Sequence, residues 1–68
     1  MTTELQPHQQ RVVDEHAELK AKMDKLKDFI EHNVVFTSLS PAEQSDLTSQ
    51  YNAMDEYLFC LERRISRF

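Results

Sequence analysis

The chain has no glycine at any of its 68 positions. A glycine-rich loop that cradles phosphates by close backbone approach is therefore excluded, and so is the residue best suited to strained active-site turns. The single cysteine, Cys60, has no partner for an internal disulfide, and no cysteine or histidine spacing resembles a zinc framework. No apolar run is long enough to span a membrane, and the start, MTTELQPHQQ, holds no apolar stretch of signal-peptide length. The default expectation is a protein of a reducing cytoplasm. Basic residues number 8 against 12 acidic ones, and a formal net charge of −4 argues against a general binder of DNA or RNA, which needs a basic face. A small anion held at a local basic spot is compatible with that balance. Enzyme readings start low, because neither a nucleophile with an orienting partner nor an oxyanion device is legible.

What is present is helical periodicity. Val12, His16, Leu19, Met23, Leu26 and Ile30 form a 4-3-4-3-4 stripe, and Leu47, Tyr51, Met54, Leu58, Leu61 and Ile65 form another. Pro7 suits the first turn of one helix. In SPAE, Ser40 reads as an N-cap, Pro41 as the first helical residue and Glu43 as the closing member of a capping box. Between them HNVVFTSLS, β-branched and polar, reads as a connector. Folding at that connector pairs the stripes in order: Val12 with Ile65, His16 with Leu61, Leu19 with Leu58, Met23 with Met54, Leu26 with Tyr51 and Ile30 with Leu47. The residue numbers of every pair sum to 77, so no slip in register is needed.

The expected fold is all-α: an antiparallel hairpin of two long helices with coiled-coil-like packing, and at most a short additional helical turn at the N-terminus. Its expected limits are a flexible arm over 1–6 and a hairpin domain over 7–68, with a helix at about 8–32, a connector at 33–40 and a helix at about 41–67. A core of this size supplies only about 3–5 kcal/mol without disulfides, metal or partner chains. Phe29, Val34, Val35, Phe36, Tyr57, Phe59, Cys60 and Phe68 also fall outside both stripes. So much apolar area on a solvated hairpin points to self-association, most simply with identical chains.

The basic residues are Arg11, Lys20, Lys22, Lys25, Lys27, Arg63, Arg64 and Arg67. In the register above, Arg11 faces the Arg63–Arg67 stretch at the open end of the hairpin, with His8 close by. The plain account of those arginines is that they complement the C-terminal helix dipole. The functional account is an anion site assembled from several chains, in which guanidinium forks clamp phosphates and a flat ring stacks on a base. The lysines have the same double reading. Glu18 and Lys22 read as a favourable i,i+4 pair, and Lys20 and Lys27 suit a solvated face, whereas Lys22 and Lys25 also flank Met23 and Leu26 and so edge a chain–chain interface. His16 reads as a satisfied seam histidine that sets register or assembly; its neighbours Asp14, Glu15 and Glu18 do not form the Glu-x-x-His pattern of helical di-iron sites. Cys60 reads as a small buried apolar group. No metal, cofactor or catalytic residue is expected. An alternative that also fits the stripes is an oligomeric module that binds a host or virion protein through Phe36, Tyr57 and Phe59.

The stretch PHQQRVVDEHAELKAKMDKLKDFI, followed by F-x-x-L-S-x-x-E-Q-x-x-L and M-x-x-Y-x-x-x-L-x-x-R-I, resembles a family of small phage-encoded helical hairpins, the anti-CBASS cyclic-oligonucleotide sponges and the related anti-Thoeris sponges. The resemblance runs from about Pro7 to Phe68. It implies a homohexamer in the cytoplasm of a bacterial host that sequesters immune signals without cleaving them, so that the nucleotide-activated effector starves. It also implies pockets between protomers for cyclic dinucleotides such as cGAMP and, as in some members of the family, separate sites for cyclic trinucleotides. An aromatic residue near the start of the long helix and a lysine further along it serve the dinucleotide pocket, and they correspond to His8 and Lys22. Basic residues of the C-terminal helix serve the trinucleotide site, and they correspond to Arg63 or Arg64. Arg11 and Lys25 complete the expected ligand-binding set. His8 departs from the pattern, since an imidazole offers less stacking area than a phenol or phenyl ring.

Overall fold

The computed structural model describes residues 4–68. Residues 1–3 of the expected arm lie outside the described residues, and residues 4–6 have no regular structure. Three helices follow: α1, Pro7–His32; α2, Val34–Ser38; and α3, Pro41–Ile65. The long helices α1 and α3 pack against each other, and no strand occurs among the described residues. The antiparallel helical hairpin is thus the observed architecture.

Each boundary has a local cause. Pro7 occupies the first turn of α1, where its missing N–H is no loss. The Gln6 N–H donates to Gln9 Oε1 at 2.9 Å, which removes one polar group that the helix would leave orphaned. Asn33 stops α1 by turning extended (φ −93°, ψ 126°), while its own N–H still reaches the Phe29 carbonyl at 3.2 Å. The same residue starts α2, its Oδ1 accepting the Val35 N–H at 2.8 Å. Thr37 and Ser38 hydroxyls donate back to the Val34 and Val35 carbonyls, both at 2.7 Å, and close this short turn. The connector expected over 33–40 therefore contains a helix of its own. Ser40 caps α3 by accepting the Glu43 N–H at 3.2 Å, with Pro41 next in line. The chain leaves α3 through a turn at Ser66 and Arg67.

The core is the paired stripe. Val12, Leu19, Met23, Leu58 and Leu61 are buried, with Tyr51, Met54 and Ile65 packed against them. The remaining seam positions, His16, Leu26, Ile30 and Leu47, are half-buried, so none of the twelve is exposed. At the closed end, Phe29 and Phe36 meet edge to face, 6.1 Å between centroids at 86°. They were expected among the unpartnered aromatics and instead partner each other. Half-buried Gln44 straps the elbow to α3, its Nε2 donating to the Phe36 and Leu39 carbonyls at 2.9 and 3.2 Å. Cys60, expected to be buried, is exposed. It falls well away from the α3 seam on the helical period, where no second layer covers it.

The molecule measures 53 × 16 × 14 Å. Its radius of gyration of 15.7 Å exceeds the roughly 11 Å of a compact domain of this length. Its accessible surface of 5434 Å² is about 900 Å² more than a compact monomer of the same mass exposes. Val34, Val35, Tyr57, Phe59 and Phe68 contribute apolar area to that excess.

Candidate anion site

Helical period and the antiparallel pairing divide the surface of the hairpin into two faces. On α1, with the stripe as centre, Lys20 and Lys27 fall on one flank; Arg11 and Lys22 fall on the other, and Lys25 lies further round the same side. On α3, Asp55 and Glu62 lie on one flank, and Tyr57, Cys60 and Arg64 on the other. The contact between His16 Nε2 and Glu62 Oε2, at 3.1 Å, fixes which flanks adjoin. Glu62 lies one residue past the expected seam partner Leu61, so the bond belongs to the same register. The first face therefore carries Lys20, Lys27, Asp55 and Glu62, and the second carries Arg11, Lys22, Arg64 and Tyr57, bordered by Lys25.

The two faces differ in electrostatics. On the first, Lys20 Nζ donates to Asp24 Oδ1 at 2.7 Å. That hydrogen bond and the Asp24 charge, helped by Tyr51 and Glu62 across the seam, hold the amine above the ordinary lysine value of 10.5. Among the described residues the ion pairs are His16–Glu62, Lys20–Asp24 and His32–Asp28. Arg11, Lys22, Lys25, Lys27, Arg63, Arg64 and Arg67 are in none of them, although the chain holds more acids than bases; of these, Lys27 lies on the first face. The carboxylates that share the second face are half-buried Glu15 and exposed Glu18 on α1, and exposed Asp46 on α3. They oppose an anion but do not neutralise its neighbours.

His8 and Arg11 are exposed in the first turns of α1, and Arg63 and Arg64 are exposed in the last turn of α3. The antiparallel packing brings these four to the open end. Arg63 points away from the seam, its guanidinium 5.8 Å from the Phe59 ring centroid in a cation–π contact. Lys22 and Lys25 lie elsewhere. Eleven residues of helix put Lys22 about 16 Å along the axis from Arg11, so one protomer does not gather all six residues around one phosphate. It presents two cationic groups along the same side of a rod. A shallow concavity lies on α3, lined by Asp55, Glu56, Leu58, Phe59, Cys60 and Glu62. Its three carboxylates are the wrong sign for a phosphate, and none of the expected ligand residues lines it.

His16 is a satisfied seam histidine, half-buried and bonded across to Glu62. Sequence reasoning did not single out Glu62, although a carboxylate next to a seam leucine necessarily flanks the opposing helix. Among the described residues no group of three His, Cys, Asp or Glu side chains is placed to hold a metal ion, and no helix is long and apolar enough to cross a membrane.

Comparison with known proteins adds three findings. A family model described as Sequestin matches residues 6–67. The chain is 39% identical over 61 residues to an uncharacterized 7.5 kDa protein of Enterobacteria phage T4 from the denB-rIIB intergenic region, which covers 90% of this chain and 94% of the phage protein. No solved structure matches it. The match spans both long helices, the connector and both cationic groups, and on that extent the chain belongs to the Sequestin family.

Proposed function

We propose that this is a phage anti-defence protein that sequesters cyclic oligonucleotide immune signals and does not cleave them. The carrying observation is the cationic face of the hairpin, where Arg11, Lys22 and Arg64, bordered by Lys25, stand in no ion pair although the chain is acidic overall. Unpaired guanidinium and ammonium groups on one side of a rod suit a polyanionic guest. The family name, which denotes sequestration, and the phage origin of the T4 relative support the same reading.

In this proposal the pockets lie between protomers. A neighbouring chain would close over the cationic face of one hairpin, adding its own basic groups between Lys22 and Lys25 and the open-end arginines that lie about 16 Å from them within one protomer. His8 would sit against a base. The excess surface of about 900 Å² is close to the ~800 Å² per partner of a specific interface, which supports assembly, and six is the number proposed on the resemblance to hexameric sponges. The guests are cyclic dinucleotides such as cGAMP, with cyclic trinucleotides at the separate basic end, and the site of action is the cytoplasm of the infected bacterium. Sequestration then blocks CBASS effector activation whenever the protein binds the signal tighter than the effector's receptor does, or outnumbers that receptor.

Thermal unfolding with and without ligand tests this reading. A guest that binds only the folded state raises stability by about 2.7 kcal/mol at a hundred times its dissociation constant, so the midpoint should climb with cyclic nucleotide concentration. A midpoint indifferent to cyclic di- and trinucleotides would favour a second reading. That reading is a hairpin module docking on a host or virion protein, and its observation is the exposure of Tyr57 and Phe59.

A further inference from the structure

One exposed aromatic ring lies on the cationic face. Tyr57 is 45% exposed and takes no part in the core cluster. Its position on α3 pairs with position 20 of α1, so its level lies about 3 Å along the axis from that of Lys22 and about 10 Å from that of Arg64. Lys22 and Arg64 thus stand on either side of it along the same flank. Among the described residues its hydroxyl makes no side-chain hydrogen bond.

The other rings are committed or placed among the wrong charges. Phe29 and Phe36 occupy each other, and Tyr51 packs on the core. Phe59 holds the Arg63 guanidinium and lines the concavity with Asp55, Glu56 and Glu62. Phe68 lies beyond the last turn of α3, remote from Lys22.

We infer that Tyr57 is the stacking platform of the site: its ring receives a planar nitrogen heterocycle, while Lys22 and Arg64 hold the phosphates on either side of it. This rests on the sequestration reading above and adds a ligand-contacting residue to it. A phenol ring offers the stacking area that the His8 imidazole lacks, and stacking tolerates any base because every base has a π-face. The carboxylates nearest the platform, Glu15 and Glu18, disfavour phosphate at the middle of the face. That leaves the heterocycle as the group to fit there.

The test is calorimetric titration of the full-length protein with cGAMP, and with inorganic pyrophosphate as a probe that lacks a base. Wild type is compared with Tyr57→Phe, Tyr57→Leu and Tyr57→Ala, each checked for helicity and assembly mass. The platform predicts that Tyr57→Phe keeps wild-type affinity for cGAMP, that Tyr57→Leu and Tyr57→Ala each lose about tenfold or more, and that pyrophosphate binding is the same in all four. Wild-type affinity in Tyr57→Leu or Tyr57→Ala would overturn the platform and leave sequestration standing. A changed assembly mass in either would make the ring an interface contact and overturn it too. Failure of the wild type to bind cGAMP would overturn the sequestration reading, and the platform with it.

Discussion

Leu61→Ala is the sharpest perturbation of this hairpin. Among the described residues Leu61 is the one large side chain with no exposed surface, 0%, and the core it sits in has five buried residues. The substitution removes three carbon groups at about 0.8 kcal/mol each. The void left between two helices that meet along a single stripe adds about 1 kcal/mol if they do not close over it. The sum, about 3–4 kcal/mol, rivals the ~3–5 kcal/mol that a core of this size supplies altogether. The variant should therefore be largely unfolded when dilute. The proposed assembly would bind only folded chains, so with it the variant's helicity should recover as protein concentration rises. The control is the same chemistry at an exposed site: Leu5, 39% exposed, should tolerate alanine to within about 0.5 kcal/mol. Urea unfolding followed by far-ultraviolet circular dichroism at several protein concentrations measures both. Equal unfolding midpoints for the two variants would refute the view that the paired stripe holds the fold.

Three further outcomes follow from named contacts. Lys22→Ala should weaken cyclic dinucleotide retention with assembly mass unchanged, whereas Lys20→Ala, whose amine already has Asp24 at 2.7 Å, should not; equilibrium dialysis separates the two. A double-mutant cycle on His16→Ala and Glu62→Ala should return a coupling of about 0.2–1 kcal/mol, because Glu62 is 55% exposed and solvent screens the pair; a coupling indistinguishable from zero would remove it as a register device. Ser40→Ala should cost about 1 kcal/mol through loss of the bond to the Glu43 N–H, read as a lower urea midpoint with an unchanged slope.

Much of the fold was legible because helical burial is periodic. Two stripes with identical 4-3-4-3-4 spacing admit one in-register pairing, and all twelve positions are shielded. The connector was opaque for a physical reason. Val34, Val35 and Thr37 are poor helix formers, and α2 exists because Asn33 caps it and the Thr37 and Ser38 hydroxyls close it, local side-chain bonds that outweigh propensity in a five-residue segment. Cys60 was misjudged because free cysteines are usually buried, a habit of residue type that yields here to its angle on α3. For the candidate site, the sequence located the open-end cluster of His8, Arg11, Arg63 and Arg64, since pairing order alone sets it. The several helical turns between that cluster and Lys22 and Lys25 were legible as well, because they follow from rise per residue along a helix. That Tyr57 shares the face of Lys22 follows from antiparallel packing of two right-handed helices, and the His16–Glu62 contact on the opposite flank agrees with it.

The central claim is capture of an intact signal by an assembly of hairpins. Native mass spectrometry of the purified protein, alone and with equimolar cyclic di- and trinucleotides, tests it most directly. The account predicts a hexamer whose mass rises by a fixed whole number of uncleaved cyclic nucleotides. A defined oligomer that retains none, or one that releases linear product, would contradict it.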